Sequence, residues 1–216
     1  MKKFLLLSLL MLSFSLSAAE KIKVACVGDS ITAGAGVKDP ANRYPTQLGV
    51  LLGDDYVVQN FGVSGTTMLD DGDSPYKKKD AYNKALAFVP DIVVIKLGTN
   101  DSKPQNMKKI EGFTASTISI VNSFTAANPK VKIYLCYPVP VVGKGNFGIN
   151  NEAVKDTIIP MIQKVADEKK LAVIDLYKAL SGHDELIPDR VHPNDEGATL
   201  IAKAVAAAIA PQKTTG

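Results

Sequence analysis

The most apolar segment after the first 19 residues reads Asp91-Ile92-Val93-Val94-Ile95-Lys96-Leu97-Gly98. It is a nearly continuous apolar run between an aspartate and a glycine, and such runs are typical of strands that are buried on both faces. Strands of this kind belong to parallel sheets that helices cover on both sides. The segment therefore predicts an α/β domain, with Lys96 solvated or paired at the end of its strand.

Four other segments have the same character, and helical patterns alternate with them. The strand candidates are residues 22–28, 56–60, 131–136 and 171–175, and the helix candidates are a pattern that ends at Gly53 and residues 81–88, 110–124, 152–169 and 194–210. Parallel strands need crossover connections, which the helices supply. We predict one doubly wound, three-layer α/β/α domain whose five-stranded parallel sheet has the flavodoxin-like order 2-1-3-4-5. Pro160 should kink the helix at 152–169 or mark its true start.

The first 19 residues have the three parts of a signal peptide. Lys2 and Lys3 supply positive charge, residues 4–16 are largely apolar, and Ser17-Ala18-Ala19 supplies small residues for cleavage. The apolar part is shorter than the roughly 20 residues of a membrane-spanning helix. We therefore predict a signal peptide at residues 1–19, a domain at residues 20–216, a periplasmic or secreted location and no stable membrane insertion.

Charge and composition argue against several classes of function. The chain has 25 basic and 22 acidic residues, and without Lys2 and Lys3 the balance is 23 to 22, so nucleic acid is not an expected partner. Two histidines, His183 and His192, and two cysteines are too few for a typical zinc or iron–sulfur site. The pattern Gly-x-x-x-x-Gly-Lys of nucleotide-binding loops is absent from the sequence. We expect no metal and no cofactor.

The predicted strand order also bears on the cysteines, which are Cys26 in the first strand and Cys136 at the end of the fourth. The third strand would lie between them. Their Cα atoms would then be at least about 9.6 Å apart, beyond the roughly 7 Å that a disulfide allows. We expect two free, buried thiols.

Four polar segments follow predicted strands or precede the last helix. They are Gly28-Asp29-Ser30, residues 60–65 (Asn-Phe-Gly-Val-Ser-Gly), Gly98-Thr99-Asn100-Asp101 and Asp189-Arg190-Val191-His192. Each alone is explained by ordinary capping or turn chemistry. Together they hold what acyl transfer needs: a hydroxyl nucleophile, an imidazole, a carboxylate to orient it, and donors for an oxyanion. Since the carboxyl ends of parallel strands meet at one edge, we expect these segments to converge.

In their order and spacing these segments resemble the SGNH/GDSL hydrolase family, the GDSL-like lipases and acylhydrolases, and in particular its short exported carbohydrate acetylesterases. The resemblance implies Ser30 as nucleophile, His192 as general base and then acid, and Asp189 as the carboxylate that orients His192. It also implies an oxyanion hole made by the backbone N–H of Ser30, the backbone N–H of Gly65 and the side-chain amide of Asn100.

Alternatives remain for two of these roles. Gly62 competes with Gly65 as an oxyanion donor, although the family's donor glycine lies at the end of such a segment. His183 is the other histidine, but it lies in a turn that is expected to be solvated. Asp29 and Asp101 adjoin the site, and we interpret them as acceptors that hold loops rather than as catalysts.

The resemblance implies a serine esterase of the carboxylic ester hydrolase class that acts on a small-molecule or oligosaccharide ester. The first hypothesis is an exported enzyme that removes small acyl groups, most simply acetyl, from a carbohydrate. A second is a lysophospholipase or thioesterase that acts on lipid acyl chains. A third, from a different class, is a periplasmic binding protein that keeps the fold with an inactive site.

Overall fold

The computed structural model describes residues 20–210, so the predicted signal peptide at 1–19 and the last six residues lie outside it. Five strands form one parallel sheet in the order β2-β1-β3-β4-β5. The strands are β1 (Ile22–Gly28), β2 (Tyr56–Gly62), β3 (Ile92–Lys96), β4 (Lys132–Tyr137) and β5 (Ala172–Asp175). The predicted fold class and strand order are confirmed.

Nine α-helical segments connect or flank the strands in the described part of the chain. They are α1 (Ser30–Ala33), α2 (Tyr44–Leu52), α3 (Asp80–Ala87), α4 (Pro104–Met107), α5 (Phe113–Ala127), α6 (Asn151–Ala153), α7 (Ile159–Lys169), α8 (Leu176–Leu180) and α9 (Asp195–Ile209). Between residues 20 and 210, no helix combines the length and the apolar character needed to cross a membrane.

The two faces of the sheet carry separate cores, as the alternation of side chains along a strand requires. One core packs Ala25 and Val27 of β1 against α3, α5 and α7. The other packs Val24 and Cys26 against α2, α8 and α9. The result is the three-layer arrangement expected from the sequence.

Both cysteines are free and buried in the second of these cores. β3 lies between Cys26 in β1 and Cys136 in β4, as the strand order requires. Burial raises the pKa of the Cys26 thiol to about 12. The expectation of two free thiols is confirmed.

Pro160 is the second residue of α7. A π-helical turn at Val154–Ile158 precedes it and joins α6 to α7. Proline has no N–H to donate to the preceding turn, so it is tolerated near a helix start and disturbs the regular pattern before it. The predicted disruption at Pro160 is therefore a change of helix type at the start of α7.

The two ends of the described chain lie together at the amino edge of the sheet. Ile22 at the start of β1 lines a groove with Ala208, Ile209 and Ala210 at the end of α9. The first residues of β2, β3 and β4 line the same groove. Three of the polar segments singled out above lie at the opposite, carboxyl ends of the strands, and the fourth, residues 189–192, lies in the loop before α9.

Candidate active site

Ser30 is the first residue of α1 and lies two residues beyond the end of β1. Asp29 caps this helix, because its Oδ1 accepts from the backbone N–H of Ile31 at 3.0 Å. Gly28 allows the close packing of the turn, since a Cβ at this position would lie 2.0 Å from Thr32 Oγ1. These contacts fix the Ser30 hydroxyl at the carboxyl edge of the sheet.

His192 reaches Ser30 from the loop before α9. The Ser30 hydroxyl lies 2.9 Å from His192 Nε2, and His192 Nδ1 lies 2.6 Å from Asp189 Oδ2. With Nδ1 donating to the carboxylate, Nε2 presents its lone pair to the hydroxyl. The three side chains that the family resemblance singles out therefore form one hydrogen-bonded chain.

Asp189 holds its own loop as well as the imidazole. Its Oδ1 accepts from the backbone N–H groups of Val191, at 2.9 Å, and of His192, at 2.6 Å. Partial burial alone would raise the pKa of the Asp189 carboxyl, but these donors and the His192 ring lower it below its ordinary value. Asp189 is therefore an anion that faces the imidazole.

Asn100 follows β3 and enters the same site, where one of its amide hydrogens is already used. Asn100 Nδ2 donates to the backbone carbonyl of Thr66 at 3.1 Å. The backbone carbonyl of Asn100 accepts from Asn106 Nδ2 at 2.8 Å. A side-chain amide carries two N–H groups. The second N–H of Asn100 remains available to the cleft that its side chain lines.

Gly65, rather than Gly62, is placed to supply a backbone donor. The N–H of Gly62 donates to Asn60 Oδ1 at 2.9 Å. Within residues 20–210, the backbone N–H groups of Gly65 and Ser30 donate to no protein acceptor, and both residues line the cleft. Gly65 has φ +80°, a backbone conformation that favours glycine.

A buried ion pair lies beneath these groups. Lys96 Nζ contacts both carboxylate oxygens of Asp29, at 3.1 and 2.9 Å, and donates to Thr99 Oγ1 at 2.6 Å. The side chains of Lys96 and Asp29 are both 0% exposed. Lys96 is therefore paired rather than solvated, and it connects the turn that carries Ser30 to the turn that carries Asn100.

Asp101 holds the segment after β2, as expected for a loop-holding acceptor. Its carboxylate accepts from the backbone N–H groups of Met68, at 3.0 Å, and of Leu69, at 2.8 Å. Complete burial raises the pKa of Asp101 from 3.8 to about 7, although these hydrogen bonds act in the opposite direction. Asp101 therefore changes charge close to neutral pH.

This shift predicts a pH-dependent stability that Asp101→Asn removes. Because the pKa is raised on folding, the folded state binds more protons than the unfolded chain between about pH 4 and 7, so this group's contribution to stability falls as the pH rises through that range. The free energy of unfolding of Asp101→Asn lacks this fall. The difference between the variant and the wild type should therefore grow in favour of the variant by about 2–4 kcal/mol between about pH 4 and 7. Urea unfolding at several pH values measures this, and parallel profiles for the two proteins would contradict it.

The cleft around Ser30 has a volume of about 230 Å³. Its lining comprises Ser30, Ala35, Ser64, Gly65, Asn100, Lys103, Phe147, Ile149 and His192. His183 is exposed away from the cleft and contacts Glu185. Within the described residues, His, Cys, Asp and Glu side chains form no group of three that could hold a metal ion.

Comparison with known proteins identifies the family. Residues 26–200 match the model of the GDSL-like lipase/acylhydrolase family. The chain belongs to this family. The resemblance expected from the sequence is confirmed, and at the level of the family so is the expected class of enzyme, a carboxylic ester hydrolase.

Individual relatives of this GDSL-like chain are esterases. This chain is 43% identical over 209 residues to an acetylxylan esterase of Xylanibacter ruminicola. The match covers 88% of this chain and 43% of that protein. The chain thus spans less than half the length of that curated relative.

Solved structures share the fold. A structure of an acetyl xylan esterase is 25% identical, with a TM-score of 0.70 and coverage of 87% of this chain and 100% of that one. A carbohydrate acetylesterase from Sinorhizobium meliloti is 22% identical, with a TM-score of 0.70 and coverage of 88% and 99%.

Proposed function

We propose that this protein is an exported serine esterase that removes acetyl groups from a carbohydrate. The observation that carries the proposal is the hydrogen-bonded chain from Ser30 through His192 to Asp189, which opens on a cleft. The signal peptide predicted at residues 1–19 supports export. The intact chain of hydrogen bonds disfavours an inactive binding protein.

In the first half of the proposed reaction, Ser30 Oγ attacks the ester carbonyl carbon while its proton passes to His192 Nε2. The backbone N–H groups of Ser30 and Gly65 and the side-chain N–H of Asn100 stabilise the negative charge that develops on the carbonyl oxygen. His192 then gives its proton to the alcohol oxygen as the bond between that oxygen and the carbonyl carbon breaks. Asp189 stabilises the imidazolium between these two transfers. The products are the free alcohol and an acyl enzyme on Ser30.

In the second half, water attacks the acyl enzyme and gives a proton to His192. The bond from the carbonyl carbon to Ser30 Oγ breaks, and the proton returns to Ser30. Acetic acid leaves and loses its proton to water as acetate, and the hydrogen-bonded chain is restored. The reaction uses only these side chains, the backbone N–H groups of Ser30 and Gly65, and water.

The size of the cleft favours a short acyl group. At about 230 Å³ it is smaller than the roughly 300–1,000 Å³ of pockets that enclose drug-sized ligands. A long lipid chain would leave most of its apolar surface in water. This supports acetyl esters over the lipid acyl esters of the second hypothesis. The carbohydrate is supported by relatives whose names specify xylan or carbohydrate.

Acetate release from acetylated xylo-oligosaccharides, compared with butyryl and octanoyl esters of one alcohol, tests the proposal. We expect hydrolysis of the acetylated sugars and declining rates along the acyl series. Ser30→Ala protein prepared in the same way is the control for contaminating esterases. Preference for the octanoyl ester would overturn the assignment to acetyl groups.

Asn100→Ala should lower kcat by roughly 10²–10³-fold with little change in KM. The reason is that the hydrogen bond from the Asn100 side-chain N–H is stronger to the oxyanion of the transition state than to the ester carbonyl of the bound substrate. Steady-state kinetics on p-nitrophenyl acetate measures both constants. Asn106→Ala is the matched variant, because it removes a donor to the backbone carbonyl of Asn100 but leaves the side-chain amide of Asn100 in place. It should have a smaller effect on kcat. A change confined to KM in Asn100→Ala would mean that Asn100 binds the substrate instead.

A further inference from the structure

Phe147 stands out as an exposed aromatic side chain at the mouth of the cleft. Its side chain is 65% exposed, which is unusual for a residue of this size and hydrophobicity. Its ring centroid lies 5.7 Å from that of His192, and the two planes are inclined by 48°. The ring therefore leaves most of one apolar surface open to whatever enters beside His192.

The backbone holds Phe147 in this position at a conformational cost. Residues 146–149, called here the Phe147 turn, are closed by a hydrogen bond from the Ile149 N–H to the Asn146 carbonyl at 2.9 Å. Both central residues have positive φ, +57° at Phe147 and +76° at Gly148. Such turns favour Asn and Gly, and a phenylalanine there is strained. Strain of this kind is commonly retained at functional sites.

The Phe147 turn is anchored to the loop that carries His192. Asn146 Nδ2 donates to the Asp189 carbonyl at 2.6 Å, and the Val142 N–H donates to the Arg190 carbonyl at 3.0 Å. Buried Ile149 packs with Val191 beneath the turn. The backbone of the turn is thus held against the loop of His192, with the Phe147 ring 5.7 Å from the imidazole.

The chemistry of the reaction decides which part of the substrate meets this ring. The carbonyl oxygen points to the donors of Ser30, Gly65 and Asn100, and the alcohol oxygen must lie near His192 Nε2 to receive its proton. The alcohol therefore leaves the cleft alongside the imidazole, where Phe147 lies. The acyl group takes the remaining direction.

We propose that Phe147 is the platform on which the sugar ring of the substrate packs, so that it selects esters by their alcohol part. This inference rests on the proposed function. A pyranose ring presents a face of C–H groups, and an aromatic ring is a complementary flat, apolar surface with a negative face. The hydroxyl groups at the rim of the sugar stay in water.

Two esters with the same acyl group test the platform: an acetylated methyl β-xyloside, which reaches Phe147, and methyl acetate, which does not. In Phe147→Ala, the ratio of kcat/KM for the xyloside to that for methyl acetate should fall about five- to tenfold, through KM, as expected for the loss of one aromatic contact. Phe147→Trp should keep the ratio, and Phe147→Leu should restore it only in part.

Val89→Ala is the matched control. Val89 is also apolar, 42% exposed and at positive φ (+47°), but it lies at the amino edge of the sheet. In Val89→Ala, the ratio of kcat/KM for the xyloside to that for methyl acetate should equal that of the wild type. Thermal unfolding of each variant confirms that the fold is intact.

Three results would overturn the proposal while leaving the esterase function in place. The first is an unchanged ratio with both rates retained. The second is an equal loss of kcat on both esters, which would mean that Phe147 only holds His192. The third is a changed preference between acetyl and butyryl esters of one alcohol. Failure of the proposed function gives a different result: the wild type hydrolyses methyl acetate but none of the acetylated xylosides, and the platform is then rejected with it.

Discussion

Replacing Ser30 with alanine should lower kcat on acetate esters by on the order of 10⁴–10⁶. The hydroxyl is the only atom of the site that forms a bond to the acyl group in the proposed reaction. Its 2.9 Å contact with His192 Nε2 places the base where the proton leaves. Release of p-nitrophenol under saturating p-nitrophenyl acetate measures kcat.

The same experiment on His192→Ala and on the double variant tests whether the two side chains act as a unit. We expect His192→Ala to lose nearly as much as Ser30→Ala, and the double variant to be hardly worse than either. His183→Ala is the matched control, since His183 lies outside the cleft, and it should retain wild-type kcat. Losses that multiply in the double variant, or inactivation by His183→Ala, would refute the assignment.

Lys96→Met should cost about 3–5 kcal/mol in free energy of unfolding, because it leaves the Asp29 carboxylate buried without its partner. Asp29 and Lys96 are both completely buried, so water cannot take over the role of the missing ammonium group. Urea unfolding, with the midpoint and slope fitted together, measures the loss.

Two companion variants separate this effect from the general cost of a substitution. Lys77→Met breaks a partly exposed pair with Asp70 and should cost about 1 kcal/mol or less. Adding Asp29→Asn to Lys96→Met removes both charges and should recover part of the loss, since an amide oxygen can still accept from the Ile31 N–H. A cost for Lys96→Met no larger than that for Lys77→Met would contradict the buried pair.

The sheet could be predicted because its information is local. Residues 91–98 are apolar almost throughout, and the structure buries every residue of β3 on both faces. The order of the strands followed from the rarity of other arrangements once five strands alternated with helices. Helix limits were less accurate: the stripe at 110–124 is a short 3₁₀ turn at Ile110–Gly112 followed by α5.

The candidate site could be predicted where its residues lie in short sequence motifs. Ser30, Asn100 and His192 were predicted as candidates from such motifs, and in the structure all three line one cleft. The partner of Lys96 was not predicted, because Asp29 is 67 positions away and only the pairing of β1 with β3 brings them together. Phe147 was also missed, since one aromatic residue in a glycine-rich loop forms no pattern.

Ile22 and Ala210, near the two ends of the described residues, lie in one groove at the amino edge of the sheet, and this bears on how such a domain can be joined to another. A second module fused before Ile22 or after Ala210 would be attached across the sheet from Ser30 and would leave the cleft uncovered. For the carbohydrate esterase proposed above, a polysaccharide-binding module joined there would hold the enzyme on a polymer while the cleft remains free to reach the acetyl groups of that polymer. Fusion on either side would have the same geometry, because Ile22 and Ala210 line the same groove.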